Sequence, residues 1–257
     1  MIQRPLRRVP LYENEDKFVF EGPEPGTFIQ HFKDETTTVD RKSVIQGKGV
    51  LNNRISELLM TQLEELGIAT HFVRRLNMRE QVVKALDIIP LKVVIRNASA
   101  GSFVKRFGLE EGIRLPRAIV EFYHKEEGQE KVLVSDEHMT TFGWASPSEI
   151  EEMMTISYRV NDFLTGLFFG IGIRLIDFRL GFGRIYGEFG DDARLVIADE
   201  ITPDSCRLWD LKSNQRMDKD RFKLNLGNEN AGYQEVARRL GVWGHDIEKN
   251  ISLDTTY

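Results

Sequence analysis

Residues 94–106, VIRNASAGSFVKR, constrain the fold of this chain more than any other segment. A run typical of a β-strand ends at Arg96 and Asn97, a turn of small residues follows, and a helix is predicted to begin near Ser102. This order places backbone N–H groups, a hydroxyl and a guanidinium group around one helix start. Unpaired amide donors and the positive end of the helix dipole both favour an anion. The segment predicts a phosphate site, and the alternative is a turn beside a solvated basic helix.

The composition indicates a folded protein that handles small molecules. The chain has 257 residues, 41% of them hydrophobic and 29% charged, which suits one large domain or two smaller ones. A formal net charge of −5 argues against a general nucleic-acid binder. The single cysteine, Cys206, cannot form an intramolecular disulfide and fits a reducing compartment. Neither a membrane-spanning run nor a secretory signal is recognisable, so we expect a cytoplasmic protein with no membrane partner.

The hydrophobic periodicity predicts an α+β fold in two parts. Short strands are expected at 18–20 and 27–32, and a helix is expected at 50–66. After further short strands, Pro90 marks a predicted boundary between an N-terminal β-rich subdomain (1–90) and a C-terminal subdomain (91–257). Because β-rich sequence comes first and mixed sequence follows, α+β is favoured over a doubly wound parallel sheet.

The second part contains one strong helix signal and two long strand signals. Ser146, Pro147 and Glu149 form a capping box with proline at the first helical position, which predicts the start of a long amphipathic helix. Strands are predicted at 173–186 and 195–199, and a last helix at 230–240. In the first of these strands, alternation predicts one apolar face and one opposite face. The apolar face holds Ile176, Phe178, Leu180 and Phe182, and the opposite face holds Leu175, Asp177, Arg179 and Gly181.

Two charged segments are candidates for chemistry. Asp199 and Glu200 end a predicted strand and precede a polar loop with Arg207, an arrangement that suits a hard cation or a phosphorylated ligand. The alternative is a strand end whose loop is capped by Asp and Ser side chains. The run 217–221, MDKDR, is predicted to be a solvated charged surface, and the alternative is a functional cluster. The five histidines show no metal-binding spacing.

Several motifs occur together in the order seen in the SAICAR synthetase family, which this chain resembles over residues 11 to 243. They are Leu11-Tyr12-Glu13, Phe32-Lys33-Asp34, Gly47-Lys48-Gly49 with Asn52-Asn53, Gly67-Ile68 with Thr70-His71-Phe72, residues 94–106, Asp177-Phe178, ADEITPDSCRLWD at 198–210 and MDKDRF at 217–222. The resemblance implies an ATP-dependent ligase that joins carboxyaminoimidazole ribonucleotide (CAIR) to L-aspartate, giving SAICAR, ADP and phosphate. It also implies magnesium, a homo-oligomer, and a nucleotide cleft between a small N-terminal part and a larger C-terminal part.

The resemblance assigns roles to particular residues. Those implied to bind substrate are Arg96, Asn97, Gly101, Ser102, Arg207, Asp40 and Asp220. Those implied to bind the nucleotide are Lys17, Val83, Lys84 and Leu86. Those implied to be catalytic are Lys125, Arg179 and Asp199, and Asp199 is also the implied magnesium ligand.

The chain departs from the family pattern mainly where ATP phosphates and magnesium would bind. The departures are Asn14 for glycine, Glu15 for lysine, Lys131-Val132 for Asp-Pro, Arg179 for lysine and Gly181 for glutamate. A carboxylate at Glu15 would repel nearby phosphate. The residues implied to hold the CAIR phosphate are retained, so one half of the predicted cleft keeps its chemistry and the other half is altered.

Two hypotheses follow, and the sequence leaves open whether the altered half supports turnover. In the first, the chain is a working ligase in which water or Asp177 completes a magnesium shell with Asp199. In the second, it is a non-catalytic paralogue that binds a purine-pathway ribonucleotide and pairs with an active subunit. We favour the ligase, because the substrate motifs are retained.

Overall fold

The fold is described from a computed structural model over residues 8–37, 42–124, 131–187 and 193–244. The strands are β1 (Tyr12–Glu13), β2 (Lys17–Glu21), β3 (Thr27–Phe32), β4 (Glu35–Thr37), β5 (Lys42–Val44), β6 (Phe72–Arg75), β7 (Glu80–Lys84), β8 (Asp87–Ala98), β9 (Arg114–His124), β10 (Val132–Val134), β11 (Ile173–Tyr186), β12 (Ala193–Ala198) and β13 (Cys206–Asp210). The helices are α1 (Lys48–Glu65), α2 (Ser102–Phe107), α3 (Asp136–Thr141), α4 (Pro147–Gly170), α5 (Asp220–Lys223) and α6 (Glu229–Arg239). This mixture of mainly antiparallel sheets and separate helices confirms the α+β prediction.

The N-terminal half forms a five-stranded antiparallel sheet in the order β1-β2-β3-β7-β6. The two short strands predicted first are confirmed, and they form a hairpin in which β2 pairs with β3 from Lys17↔Phe32 to Glu21↔Phe28. Helix α1 packs against this sheet and against α6. Most of its apolar side chains are buried, and Leu51 and Leu59 are fully buried.

The C-terminal half is built on a six-stranded antiparallel sheet in which β11 is the central strand. Neighbours run β10-β9-β8-β11-β12, and β13 pairs with the other end of β11. Helix α4 packs on this sheet and begins with the predicted capping box, in which Ser146 N donates to Glu149 Oε2 at 2.7 Å and Glu149 N donates to Ser146 Oγ at 3.3 Å. Strand β13 lies where the sequence had indicated only a loop.

The alternation predicted for β11 is wrong at its beginning. The pairing of β11 with β13 shifts register between Leu175 and Asp177, which is a β-bulge or a related irregularity. An extra residue reverses the faces, so Leu175 joins Phe178 in the main core. Ile176 instead packs with Trp209 in a separate small cluster. Both faces of this strand are largely buried, because helix, sheet and loop cover it.

The junction between the two sheets lies slightly before the predicted boundary. The first sheet ends with β7 at Lys84 and the second begins with β8 at Asp87, so Pro90 is inside a strand. One hydrophobic core contains Phe72 from the first sheet and Leu180 from the second. The division into 1–90 and 91–257 stays a prediction. No helix in the described part of the chain is long and apolar enough to cross a membrane.

Candidate active site

A cavity of about 660 Å³ opens beside the second sheet, where β8, β11 and the segments after β12 and β13 meet. Its lining brings together most of the predicted substrate residues. Arg96 and Ser102 come from residues 94–106, Arg179 from β11, and Arg207 and Asp220 from the segments around β13. Residues more than 100 positions apart therefore contribute to one wall.

Two guanidinium groups converge at this wall through a shared carboxylate. Arg96 Nη1 donates to Asp177 Oδ2 at 3.0 Å, and Arg207 Nη1 donates to the same oxygen at 2.7 Å. A Cβ atom placed on Gly101 would lie 2.6 Å from Arg207 Nη2. Glycine is thus required for the turn to approach the guanidinium group, and its φ of +56° also favours glycine.

These arginines are held firmly and still have donors for an anion. Arg96 also donates to Glu121 at 2.6 Å, and Arg207 Nε donates to Asp220 at 2.6 Å. Burial alone would lower the pKa of Arg207, but Asp177 and Asp220 outweigh it and raise that pKa. A guanidinium group has five N–H donors, so each arginine keeps donors beyond these bonds. This pre-ordered pair suits a phosphate monoester.

The helix start contributes less to this site than the sequence suggested. Helix α2 has only six residues, and its cap residue Gly101 makes no side-chain capping bond. Ser102 is exposed at the first helical position, whereas Phe103 is buried beneath the Arg96 guanidinium group, 5.3 Å from ring centre to Cζ. Because a helix of six residues has a small dipole, the arginine side chains are the main donors to an anion at this wall.

Not every predicted substrate residue faces this cavity. Successive strand residues point to opposite faces, so Asn97 points away from Arg96. Its Nδ2 donates to Asn161 Oδ1 at 2.7 Å, and it lines a different cavity of about 920 Å³. The predicted residues Asp40 and Lys125 lie outside the described residues.

The charged run 217–221 is not a solvated surface, so that prediction is wrong. Asp218 is 1% exposed and accepts bonds from the backbone N–H groups of Leu208 and Asp220, each at 2.7 Å. Lys219 Nζ donates to Asp16 at 2.9 Å. The run folds beneath the cavity because β13 and the turn before α5 bring it against the first sheet.

Sequence reasoning missed a second buried ion cluster around Lys48. The Lys48 side chain is fully buried, and its Nζ donates to Asp204 at 2.9 Å and to Asp16 at 3.1 Å. Tyr233 donates its hydroxyl proton to Asp204 at 2.5 Å. Arg179 then donates to the Asp204 backbone carbonyl at 2.5 Å, which holds the cavity loop. The available signal was Gly47-Lys48-Gly49, which places a lysine at the start of an amphipathic helix.

A separate charged cluster surrounds Asp199, at the end of β12. Asp199 has a φ of 72°, an unusual value for a residue other than glycine. One of its carboxylate oxygens accepts a bond from Lys17 and the other from Lys92, and Lys17 also donates to Glu200. Burial, and then the negative charge of Asp199, raise the pKa of Glu200 to about 7.

Gly181 lies directly beside this cluster. It pairs with Ala198 on one side and with Lys92 on the other. A Cβ atom on Gly181 would lie 3.1 Å from Lys92 Nζ and 3.4 Å from Asp199 Cβ. Asp177 is four residues away along the same strand, roughly 13 Å, and is bound by two arginines. The hypothesis that Asp177 completes a magnesium shell does not fit this geometry.

The predicted adenine segment crosses the junction between the sheets. Val83 pairs with Phe28 inside the first sheet, and the N–H groups of Lys84 and Ala85 donate to protein carbonyls at 2.7 and 2.8 Å. Lys84 Nζ donates to the Thr70 carbonyl at 3.1 Å. Leu86, which follows Ala85, is half-buried. The assignment of Val83, Lys84 and Leu86 to the adenine base stays a prediction.

Two of the departures near β2 have local partners. Asn14 Oδ1 accepts bonds from the N–H groups of Asp16 and Lys17, each at 2.9 Å, which closes the turn that leads to Lys17. Glu15 is mostly exposed, and its carboxylate lies 3.5 Å from Lys219 Nζ. The acidic residue is thus partly neutralised by a lysine of the buried run.

Comparison with known proteins agrees with these observations. The SAICAR synthetase family model matches residues 10–240. Phosphoribosylaminoimidazole-succinocarboxamide synthase from Brucella ovis is 58% identical over 238 residues, covering 92% of this chain and 93% of that protein. The Rhizobium meliloti synthase is 56% identical with the same coverage.

Solved structures show the same relationship. The crystal structure of the synthase from Ehrlichia chaffeensis is 44% identical, with a TM-score of 0.88, and covers 92% of this chain and 100% of that one. A SAICAR synthetase in complex with ADP is 38% identical, with a TM-score of 0.83, and covers 89% and 96%. This chain belongs to the SAICAR synthetase family.

Proposed function

We propose that this chain ligates CAIR with L-aspartate at the expense of ATP, forming SAICAR, ADP and phosphate in purine biosynthesis. The observation that carries the proposal is the pair of guanidinium groups, buried at Arg96 and partly exposed at Arg207, which converge on one cavity wall through Asp177. The named relatives are all synthases of this reaction, and one family structure holds ADP. These findings favour the ligase over the non-catalytic alternative.

In the proposed arrangement the two ends of the cleft bind different phosphates. Arg96 and Arg207, with the Ser102 hydroxyl, hold the CAIR phosphate monoester at the second sheet. Lys92 faces the ATP phosphates beside Asp199, at the junction of the sheets, and the buried Lys17 binds the other oxygen of Asp199. Lys92 and Arg179 also line the cavity, so they lie between the two ends.

The chemistry proceeds in two steps between these ends. A carboxylate oxygen of CAIR attacks the γ-phosphorus, and the bond from that phosphorus to ADP breaks, giving an acyl phosphate. The aspartate amine then attacks the acyl carbon, inorganic phosphate leaves, and the amine loses its proton. Positioning and cationic stabilisation are the main contributions of the protein. Arg179 donates to the Asp204 carbonyl and lies between the two ends of the cleft, where the phosphoryl group and its negative charge are transferred.

Magnesium stays a prediction, and the described residues do not fit it at Asp199. Mg²⁺ prefers an octahedral set of oxygens with at least one free carboxylate. Both oxygens of Asp199 accept bonds from ammonium groups, and Gly181 supplies no second carboxylate. Within the described ranges, no three His, Cys, Asp or Glu side chains form a group that could hold a metal ion. No step above is therefore assigned to a metal.

The ligase proposal is tested by following SAICAR formation from CAIR, ATP and aspartate, with each substrate omitted in turn. We expect turnover that requires all three substrates and falls at least about 100-fold in Arg207→Ala, the result of losing a charged hydrogen bond to phosphate. The control is Lys212→Ala, an exposed residue beyond the cavity. CAIR binding without any turnover would contradict the ligase and support the non-catalytic alternative. Cytoplasmic location and homo-oligomeric assembly stay predictions.

A further inference from the structure

An ion pair across the cleft joins Lys92 to Asp199. These residues are 107 positions apart, and the ammonium group of Lys92 donates to one oxygen of the carboxylate implied to bind the metal. Lys17 donates to the other oxygen. The Lys17 side chain is 7% exposed, whereas the Lys92 side chain is 39% exposed and lines the cavity. One cation is therefore structural, and the other faces the space where substrates bind.

Gly181 makes room for this arrangement. Lys92 and Gly181 are directly opposite each other on β8 and β11, so a side chain at 181 would project beside the lysine. A Cβ atom there would already lie 3.1 Å from Lys92 Nζ. A larger side chain at 181 and the observed Lys92 position are consequently incompatible without movement of the ammonium group.

We propose that the Lys92 ammonium group takes the place of a divalent cation on Asp199, so that this chain holds nucleotide phosphates without a metal ion at that carboxylate. The proposal rests on the proposed function in taking this end of the cleft as the nucleotide end. A divalent ion at Asp199 would lie against two ammonium groups and would be repelled by both. A lysine Nζ provides three donors, of which Asp199 uses one, so others can face a phosphate.

The first test measures metal uptake by the full chain without nucleotide. Manganese(II) is titrated, and the free ion is followed by electron paramagnetic resonance. We expect the wild-type chain to take up no Mn²⁺ below about 1 mM, weaker than the range of ordinary protein cation sites. In the double variant Lys92→Gln/Gly181→Glu, we expect one Mn²⁺ per chain. Lys223→Gln is the matched control, since it removes a charge from the same cavity beside Asp220 rather than Asp199.

The second test measures ADP affinity in EDTA and in magnesium chloride. We expect the wild-type affinity to change by less than about threefold, because Lys92 already supplies the cation. The double variant should bind ADP at least about tenfold more tightly with magnesium, a difference of about 1.4 kcal/mol. Circular dichroism of each variant checks that the fold is retained.

Three results would overturn the inference. The first is wild-type uptake of one Mn²⁺ that Asp199→Asn abolishes. The second is a tenfold or greater tightening of wild-type ADP binding by magnesium, and the third is no ADP binding in either buffer. Absence of SAICAR formation alongside metal-independent ADP binding would contradict the proposed ligase and leave this inference standing. The two proposals therefore fail by different measurements.

Discussion

The two ends of the cleft differ in how their charges are arranged. At the end proposed to bind the ribonucleotide (the ribonucleotide end), Arg96 and Arg207 are held by Asp177 and by further carboxylates, yet they keep donors for a ligand. At the end proposed to bind ATP (the nucleotide end), the negative charge of Asp199 is balanced by Lys17 and Lys92 within the protein itself. Both ends contain paired charges, but the arginines keep N–H donors for an anion, whereas the lysines and Asp199 mainly pair with one another.

The two ends differ in whether the charged groups leave hydrogen-bond donors for an external ligand. The arginine end can still bind an external anion, because each guanidinium group has five N–H donors and its bonds to the nearby acids use only some of them. The lysine end needs no external cation, because Gly181 leaves space for Lys92. One substitution to glycine can therefore change the ligand that a carboxylate prefers without altering the fold around it.

Arg96→Ala should have the largest effect, and it tests whether the arginine end is both structural and functional. Glu121 and Asp177 would stay buried with one guanidinium partner fewer each, since only Arg106 and Arg207 remain, so we expect a loss of about 3 kcal/mol in the free energy of unfolding. CAIR affinity should fall with it, as urea unfolding and ligand titration would show. Lys105→Ala, an exposed residue lining the same cavity, is the control. If Arg96→Ala and Lys105→Ala lost the same free energy of unfolding, the buried ion pairs of Arg96 would contribute no more to stability than an exposed lysine.

Gly101→Ala should sharpen the comparison by disturbing only the ribonucleotide end. A side chain at φ +56° is strained, and its Cβ would displace the Arg207 guanidinium group, so we expect a loss of up to about 3 kcal/mol in stability. CAIR affinity should fall, while ADP affinity stays within about twofold, since distant sites act independently. Calorimetry with each ligand separates the two. A matching loss of ADP affinity would show that the ends are coupled.

The pH dependence of stability tests the nucleotide end through His71. Burial, and then the positive charge of Lys17, lower the pKa of His71 from 6.5 to about 3. The folded state therefore holds neutral histidine, and the resulting stability is present above pH 6.5 and declines as the pH falls towards 3. By pH 5 the wild-type chain should lose about 2 kcal/mol through this residue. Denaturation at several pH values should show a smaller decline in His71→Gln, and parallel curves would contradict the assignment.

Gly181→Glu should have the smallest effect on stability, below about 1 kcal/mol, because only the flexible end of Lys92 must move. The new carboxylate can pair with that lysine. Gly183→Ala is the matched control on the same strand, where a Cβ would lie 2.8 Å from Leu86 Cβ and 3.1 Å from the Asp87 carbonyl oxygen. Thermal unfolding should rank the control as the more damaging change, and the opposite order would show that Lys92 is rigidly held.

Local sequence signals determined much of the secondary structure. The capping box at Ser146 begins α4, the hairpin of β2 and β3 has the predicted strands, and β11 spans the predicted residues. Each of these depends on residues a few positions apart, whose preferences act through local sterics and hydrogen bonds. The motif at 94–106 likewise indicated an anion site before any long-range contact was known.

Only the tertiary structure decided which charges meet and which are buried. Lys17 and Asp199 are 182 positions apart, and nothing in their local sequence predicts that they pair. The bulge that turns Ile176 away from the main core and the burial of Asp218 also depend on β13 packing beside β11. The physical reason is that desolvation and charge pairing depend on distance in space, whereas sequence patterns report only what neighbours along the chain prefer.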